Sequence, residues 1–169
     1  VPGLVDFFQF AFASRFLCKP EIGAPTKKVL TSKAGIALID WMRKPVDAEF
    51  ARSKRFTPST SIYELAEKAE QVLSVSNNMG EGWLLTAEMI ELIESGTPNI
   101  VCCSPFACLP NHVVGKAVIK ELRRQHPDTN IVAVDYDPGA SEVNQLNRIK
   151  LMISVAKEKF KETGRGPAK

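Results

Sequence analysis

The sequence predicts an α/β protein in which a helix-rich N-terminal half is followed by a βαβα unit with a small parallel sheet. Apolar residues recur at helical spacing through most of residues 4–95, which predicts helices there. Two short runs rich in β-branched residues and cysteine follow, at residues 100–103 and 130–137. A helical pattern comes after each run, and this order predicts parallel strands joined by a right-handed crossover.

The first three helices follow from apolar patterning and capping residues. The helix over residues 4–18 carries phenylalanines around most of its circumference and is expected to be largely buried. The second, over residues 27–43, is expected to be interrupted by Pro45, which lacks an amide N–H. The third begins at Ser61, because Ser61 and Glu64 fit the two positions of a capping box.

The remaining elements belong to the βαβα unit and its approach. A helix over residues 83–95 is expected to end with Gly96 as its C-cap. Asn111 is expected to cap a helix over residues 112–125, between the two strands. The turn at residues 138–141 leads into a last helix. The whole unit corresponds to part of a flavodoxin-like sheet.

Residues 1–169 are interpreted as one fragment of a larger protein, because the first residues lack an initiator Met and enter an apolar pattern already under way. Within it, residues 1–79 form the mainly helical part, residues 80–160 the βαβα part and residues 161–169 a frayed polar tail. Two strands are too few for a stable α/β sheet, so further strands are expected before Val1 in the parent polypeptide.

Composition excludes several classes of protein. An apolar fraction of 44% and a charged fraction of 24% are typical of a soluble globular protein, and no segment resembles a membrane span or a signal peptide. A net charge of +3 is too small to indicate nucleic-acid binding. Four cysteines without a secretory signal indicate a reducing compartment, and we expect a cytoplasmic protein.

Three of the four cysteines, Cys102, Cys103 and Cys108, lie in one short segment. The first two fall within the predicted strand, where alternate side chains point to opposite faces, so they are expected to be packing residues. Cys108 follows the carboxyl end of that strand, where α/β sheets bind ligands, and it is equally compatible with packing and with metal binding. A zinc or iron–sulfur site needs about four ligands, so the other ligands would come from outside this chain.

Two further groups are candidate cofactor-binding residues. Gly80 and Gly82 precede a helix and would let backbone amides approach an anion, although a loop that requires positive φ is the better explanation. Asp135 and Asp137, at the end of the second strand, would bind a cation or orient a cofactor. Turn chemistry and the favourable position of acids before a helix are the alternative explanation.

Two long segments, residues 80–124 ("GEGWLLTAEMIELIESGTPNIVCCSPFACLPNHVVGKAVIKELRR") and residues 130–157 ("NIVAVDYDPGASEVNQLNRIKLMISVAK"), resemble a known family. The resemblance is to the C-terminal, dehydratase-subunit-like region of the large CoA-substrate-specific enzyme activases. These are relatives of the 2-hydroxyacyl-CoA dehydratase system. Residues 43–67 ("RKPVDAEFARSKRFTPSTSIYELAE") are similar to the same family.

The resemblance implies a metal site. In dehydratase subunits a strand runs into a loop whose single cysteine ligates a [4Fe–4S] cluster, and Cys108 matches that cysteine in position. Cys102 and Cys103 are then strand packing. The remaining ligands and the ATP site of the actin-like activator module would lie upstream, so the fragment alone is expected to hold an incomplete cluster or none.

The resemblance also implies a function, namely ATP-dependent, low-potential electron transfer. Whether the chain is itself part of an enzyme is left open, and the fragment alone is expected to be inactive. The implied partners are the upstream domains, an acyl-CoA substrate or an electron-transfer partner, and a second copy in a homodimer. The alternatives are a metal-free, flavodoxin-like binding module that uses residues 76–83 and 135–142, and a dimerisation domain driven by the aromatic first helix.

Overall fold

The computed structural model describes residues 3–18, 25–139 and 141–163. In chain order the elements are α1 (Leu4–Leu17), α2 (Thr26–Arg52), α3 (Ile62–Glu70), α4 (Gly82–Glu94), β1 (Asn99–Pro105), a π-helix (Asn111–Lys116), α5 (Ala117–Gln125), β2 (Asn130–Tyr136) and α6 (Glu142–Thr163). The two strands pair in parallel. This confirms the predicted α/β class, rich in helix and with a small parallel sheet.

The chain divides into two compact units, with the boundary between Ala87 and Glu88. The division therefore falls within α4, whereas the sequence analysis placed it before that helix, after residue 79. The predicted frayed tail begins later than expected, because α6 continues through Thr163. The rest of that tail lies outside the described residues.

The core of the N-terminal unit is built by one face of α1 against α2, α3 and the start of α4. Phe10 stacks at a tilt against Trp83 with ring centroids 5.0 Å apart, and Trp83 is fully buried. The other face of α1 is exposed, including Leu4 and Phe8, so the expectation of a largely buried first helix was wrong. A helix packed on one side buries only the residues at spacings of three and four, here Phe10, Ala13 and Phe16.

A part-buried polar cluster joins α1 to α2. Gln9 is almost fully buried, and its amide donates to Asp40 Oδ1 at 2.6 Å. Arg43 Nη1 donates to Gln9 Oε1 at 2.9 Å and to Asp6 Oδ1 at 2.7 Å. These charge-assisted bonds satisfy a glutamine that would otherwise be costly to bury.

Helix α2 passes through Pro45 without interruption, so the predicted break was wrong. Proline cannot donate to the carbonyl of Trp41, one turn earlier. That part of α2 is exposed, with Trp41 at 66% and Val46 at 51%, so water can take the place of the missing donor. Arg43 also ties this part of α2 to Asp6 of α1.

Two predicted helix ends are confirmed. Ser61 is the N-cap of α3, and its hydroxyl accepts a hydrogen bond from the amide of Tyr63 at 3.3 Å. Gly96 follows α4 with a φ of 83°, which is the left-handed conformation of a Schellman C-cap. The amide of Thr97 bonds to Leu92 O at 2.8 Å, as that motif requires.

The C-terminal unit is a two-stranded sheet covered by helices. The strands run in register from Asn99 opposite Asn130 to Pro105 opposite Tyr136. Ile131, Val134 and Leu122 are fully buried and form the centre of its packing. The arrangement β1–α5–β2–α6 places the carboxyl ends of both strands at one edge of the sheet.

Candidate functional site

The candidate site lies in the C-terminal unit, where the loop after β1 enters the π-helix. The amide of Cys108 bonds to Pro105 O at 3.1 Å, and Ala107 has a φ of 52°. The carbonyl of Cys108 then accepts from the amide of His112 at 3.2 Å. This bond fixes the backbone of Cys108 at the start of the helical segment, with its side chain half-buried.

Asn111 connects two of the cysteines. Its side-chain amide group donates to Cys108 Sγ at 3.1 Å, and the Cys102 thiol lies 3.7 Å from its carbonyl oxygen. Asn111 itself is only 6% exposed. The predicted role of Asn111 as a helix cap was therefore wrong, because its side chain turns away from the helix amides toward the two sulfur atoms.

The two strand cysteines differ in their surroundings. Burial raises the pKa of Cys102 above its ordinary value, and the neighbouring Cys103 raises that pKa further. Cys102 therefore remains a protonated thiol at neutral pH, as a donor to Asn111 must be. Cys103 points to the opposite face and is exposed, so its expected role in packing was wrong.

A second polar cluster lies on the same sheet edge. Lys116 Nζ forms a short ion pair with Asp135 Oδ1 and lies 3.3 Å from His112 Nδ1. The hydrogen bond from Lys116 holds the pKa of Asp135 below its ordinary value. The pair therefore stabilises the fold above the ordinary carboxyl pKa, and this contribution is lost as the pH falls through the lowered value.

Ser104 lies beside Asp135, its partner in the strand register, and is fully buried. The Ser104 hydroxyl contributes, after Lys116, to lowering the pKa of Asp135. It makes no hydrogen bond of normal geometry to any described residue. Asp137, the second predicted acid, is exposed beyond the end of β2. The two predicted acids therefore lie in different environments. Asp135 forms an ion pair with Lys116, whereas Asp137 is exposed.

Gly80 lies in the loop before α4 and Gly82 is the first residue of α4, both in the N-terminal unit, and both have positive φ, at 61° and 41°. Two amides at the start of α4 are engaged by the backbone of this loop. Gly82 N–H bonds to Met79 O at 3.1 Å, and Trp83 N–H bonds to Asn77 O at 2.7 Å. The alternative explanation, a loop that requires positive φ, accounts for these contacts, and anion binding stays a prediction.

The described residues do not by themselves complete a metal site. Cys102, Cys103 and Cys108 form no disulfide, and no cluster of three or more His, Cys, Asp or Glu side chains is placed to hold a metal ion by this part of the chain. Cys108 offers one sulfur with one N–H donor, whereas an iron–sulfur cluster needs about four ligands. No helix in the described ranges is long and apolar enough to cross a membrane.

Sequence reasoning did not assign Asn111 and Lys116 to the site. Both belong to the π-helix, in which backbone bonds join residues five apart, so both side chains lie on the face toward the sheet. In an α-helix, side chains five residues apart point about 140° away from each other around the axis, and no sequence signal for the wider turn was recognised. Comparison with protein-family models, with curated protein sequences and with solved structures found no match to this chain.

Proposed function

We propose that this chain is part of an ATP-dependent, low-potential electron-transfer protein of the 2-hydroxyacyl-CoA dehydratase and activase type, and that Cys108 supplies one ligand of its [4Fe–4S] cluster. The observation that carries the proposal is the setting of Cys108. Its sulfur lies at the carboxyl end of β1, half-buried, and accepts an N–H bond from Asn111 at 3.1 Å.

The residues of the chain would act as follows. Cys108 binds iron, and the Asn111 amide holds its sulfur in one orientation. Cys102 stays protonated and does not compete as a ligand, because burial raises its pKa. When bound, the cluster would supply one-electron transfer, and its remaining ligands and the ATP site would belong to other parts of the polypeptide.

The proposal extends to partners and compartment. Acyl-CoA or an electron-transfer partner would meet the sheet edge that carries Cys108, and the upstream domains would complete the site. Cys102, Cys103 and Cys108 form no disulfide, which favours a reducing, cytoplasmic compartment. The fragment by itself would be inactive, since one sulfur ligand cannot retain a cluster.

The test is the iron and acid-labile sulfide content of the full natural polypeptide that contains this chain, after anaerobic reconstitution. Cys108→Ser is compared with Cys103→Ser, which changes an exposed thiol on the same strand region. We expect iron and sulfide to be lost or reduced in Cys108→Ser and retained in the control. Equal content in both variants would remove Cys108 from the cluster.

A metal-free binding or dimerisation module is the second candidate. The Lys116–Asp135 pair at the strand ends and the exposed apolar side chains of α1, such as Phe8, favour it. Absence of iron from the reconstituted natural polypeptide, together with concentration-dependent sedimentation of the chain, would support this candidate in place of the first.

A further inference from the structure

The outer edge of β2 is capped by side chains. In a parallel pair, alternate residues of each strand bond toward the partner strand. The amide of Asn130 bonds to Pro98 O, so the alternate residues from Ile131 to Asp135 direct their backbone groups away from β1. Their three carbonyls each accept a side-chain hydrogen bond: Ile131 O from Arg123, Ala133 O from Arg148 at 3.0 Å and Asp135 O from Gln145 at 2.9 Å.

The outer edge of β1 carries no such caps. By the same alternation, Asn99, Val101 and Cys103 direct their amide and carbonyl groups away from β2. Within the described ranges, no residue forms a hydrogen bond with these backbone groups. β1 also carries no charged residue, and its one proline, Pro105, lies at its end. Lysine, proline within the strand and covering groups are the usual means of blocking an edge, so β1 is free to pair with a further strand.

An apolar stripe on α6 lies on the side of the same edge. The stripe consists of Leu146, Ile153 and Phe160, which are 43%, 42% and 53% exposed. At 100° per residue, it lies on the other side of α6 from Arg148. Because Arg148 reaches the outer edge of β2, the α6 stripe is directed toward the side of β1. No described strand extends the sheet beneath it.

We propose that a second copy of this chain binds at the β1 edge, where the two β1 strands pair antiparallel about a two-fold axis and form one four-stranded sheet. A two-stranded sheet is marginal by itself, whereas four strands lie within the usual range. Because β1 is uncharged, it meets no like charge beside its own copy. This inference goes beyond the proposed function and requires no iron.

The spacing of the strands favours a second copy as the occupant. Neighbouring strands lie about 4.8 Å apart. Since α6 contacts both β1 and β2, it lies about one strand spacing from a two-fold axis between two β1 strands. The two α6 helices would then be about 10 Å apart, which is the distance between packed helices. Their stripes would bury each other, whereas a lone strand from another protein would bring no helix to cover the α6 stripe.

The experiment is sedimentation equilibrium of the full natural polypeptide that contains this chain, with variants at the edge and at the stripe. Val101→Pro removes one outward N–H and leaves the bonds between β1 and β2 in place. Ile153→Lys places a charge in the α6 stripe. The matched control is Leu151→Lys, because Leu151 is exposed on α6 away from the stripe. Circular dichroism checks that each variant is folded.

We expect a dimer in the wild type and in Leu151→Lys. The dissociation constant of the dimer should rise by about tenfold or more in Ile153→Lys, because two like charges meet across the axis. Val101→Pro should also weaken the dimer, through the lost edge bond, and either variant carries the test if the other does not fold. In the wild type, the amides of Val101 and Cys103 should exchange slowly in the dimer and faster on dilution to the monomer.

A wild-type protein that stays monomeric at all concentrations would overturn the proposal. Slow exchange of the Val101 and Cys103 amides in such a monomer would mean that a strand from elsewhere in the same polypeptide occupies the edge. A dimer that neither variant weakens would form through another surface, such as the exposed side of α1, and would overturn the proposal too. None of these outcomes bears on iron binding by Cys108, which the iron and sulfide assay tests separately.

Discussion

At the scale of single residues, the four cysteines occupy four different environments. Cys18 is buried in the N-terminal unit, and its thiol donates to Val75 O at 3.1 Å. Cys103 is exposed, whereas Cys102 and Cys108 are half-buried and share Asn111. Because thiol reactivity depends on exposure and on the thiolate fraction, these environments predict an order of reaction.

We expect Cys103 to react first with iodoacetamide in the folded, metal-free chain, and Cys18 last. Cys102 should need a higher pH to react than an ordinary thiol does, because burial raises its pKa. Because the pKa of Cys102 is higher in the folded state than in the unfolded state, its proton favours the folded state. This contribution to stability is fully present below the ordinary thiol pKa and is lost as the pH rises through the raised pKa. Mass spectrometry of peptides from timed samples would measure the order, and reaction of Cys18 before Cys103 would contradict it.

At the scale of elements, the sequence predicted helices and strands correctly in segments where a single residue pattern, helical or β-branched, is dominant. The periodic apolar stripe of α3 and the β-branched run of β2 gave elements close to those observed. The uninterrupted passage of α2 through Pro45 and the π-helix at Asn111–Lys116 were not predicted. The exposure of α2 around Pro45 and the contact of Lys116 with Asp135 are set by the fold, and local sequence does not show them.

The start of α4 depends on Gly82. Its φ is 41°, and a Cβ placed there would lie 2.1 Å from the backbone oxygen of Asn77. We expect Gly82→Ala to reduce the free energy of unfolding by about 2 kcal/mol or more, through backbone strain and this clash. Urea unfolding followed by circular dichroism would measure the change.

The control for Gly82→Ala is Gly139→Ala, because a Cβ at Gly139 meets no atom within 4 Å. We expect this second substitution to change stability by less than about 0.5 kcal/mol. Equal effects of the two substitutions would show that the loop before α4 adapts, and would contradict the structural reason given for Gly82.

At the scale of the whole molecule, the chain consists of two units with separate centres of packing. Trp83 and Phe10 lie at the centre of the first, and Leu122 and Ile131 at that of the second. The sequence predicted the candidate position of Cys108 at a strand end, because topology follows from the order of elements. It did not predict the contacts of Asn111 with Cys102 and Cys108, because they depend on a side-chain orientation set by the fold.

Leu122→Ala tests the packing of the second unit. Leu122 is fully buried, so its truncation should cost about 3 kcal/mol through lost burial and a residual cavity. Leu151→Ala is the control, because Leu151 is 68% exposed on α6 and should cost little. Hydrogen exchange should show the loss of protection chiefly in β1 and β2, and a greater loss within residues 3–87 would contradict the division into two units.

The central claim is that Cys108 binds iron, and the most direct test is protection of its thiol. The full natural polypeptide would be alkylated anaerobically before and after cluster reconstitution, and each cysteine would be quantified by mass spectrometry. The account predicts that Cys108 becomes unreactive when the cluster is present and reactive again after iron is chelated, while exposed Cys103 reacts in both states. Equal reactivity of Cys108 in the loaded and metal-free protein would contradict the account.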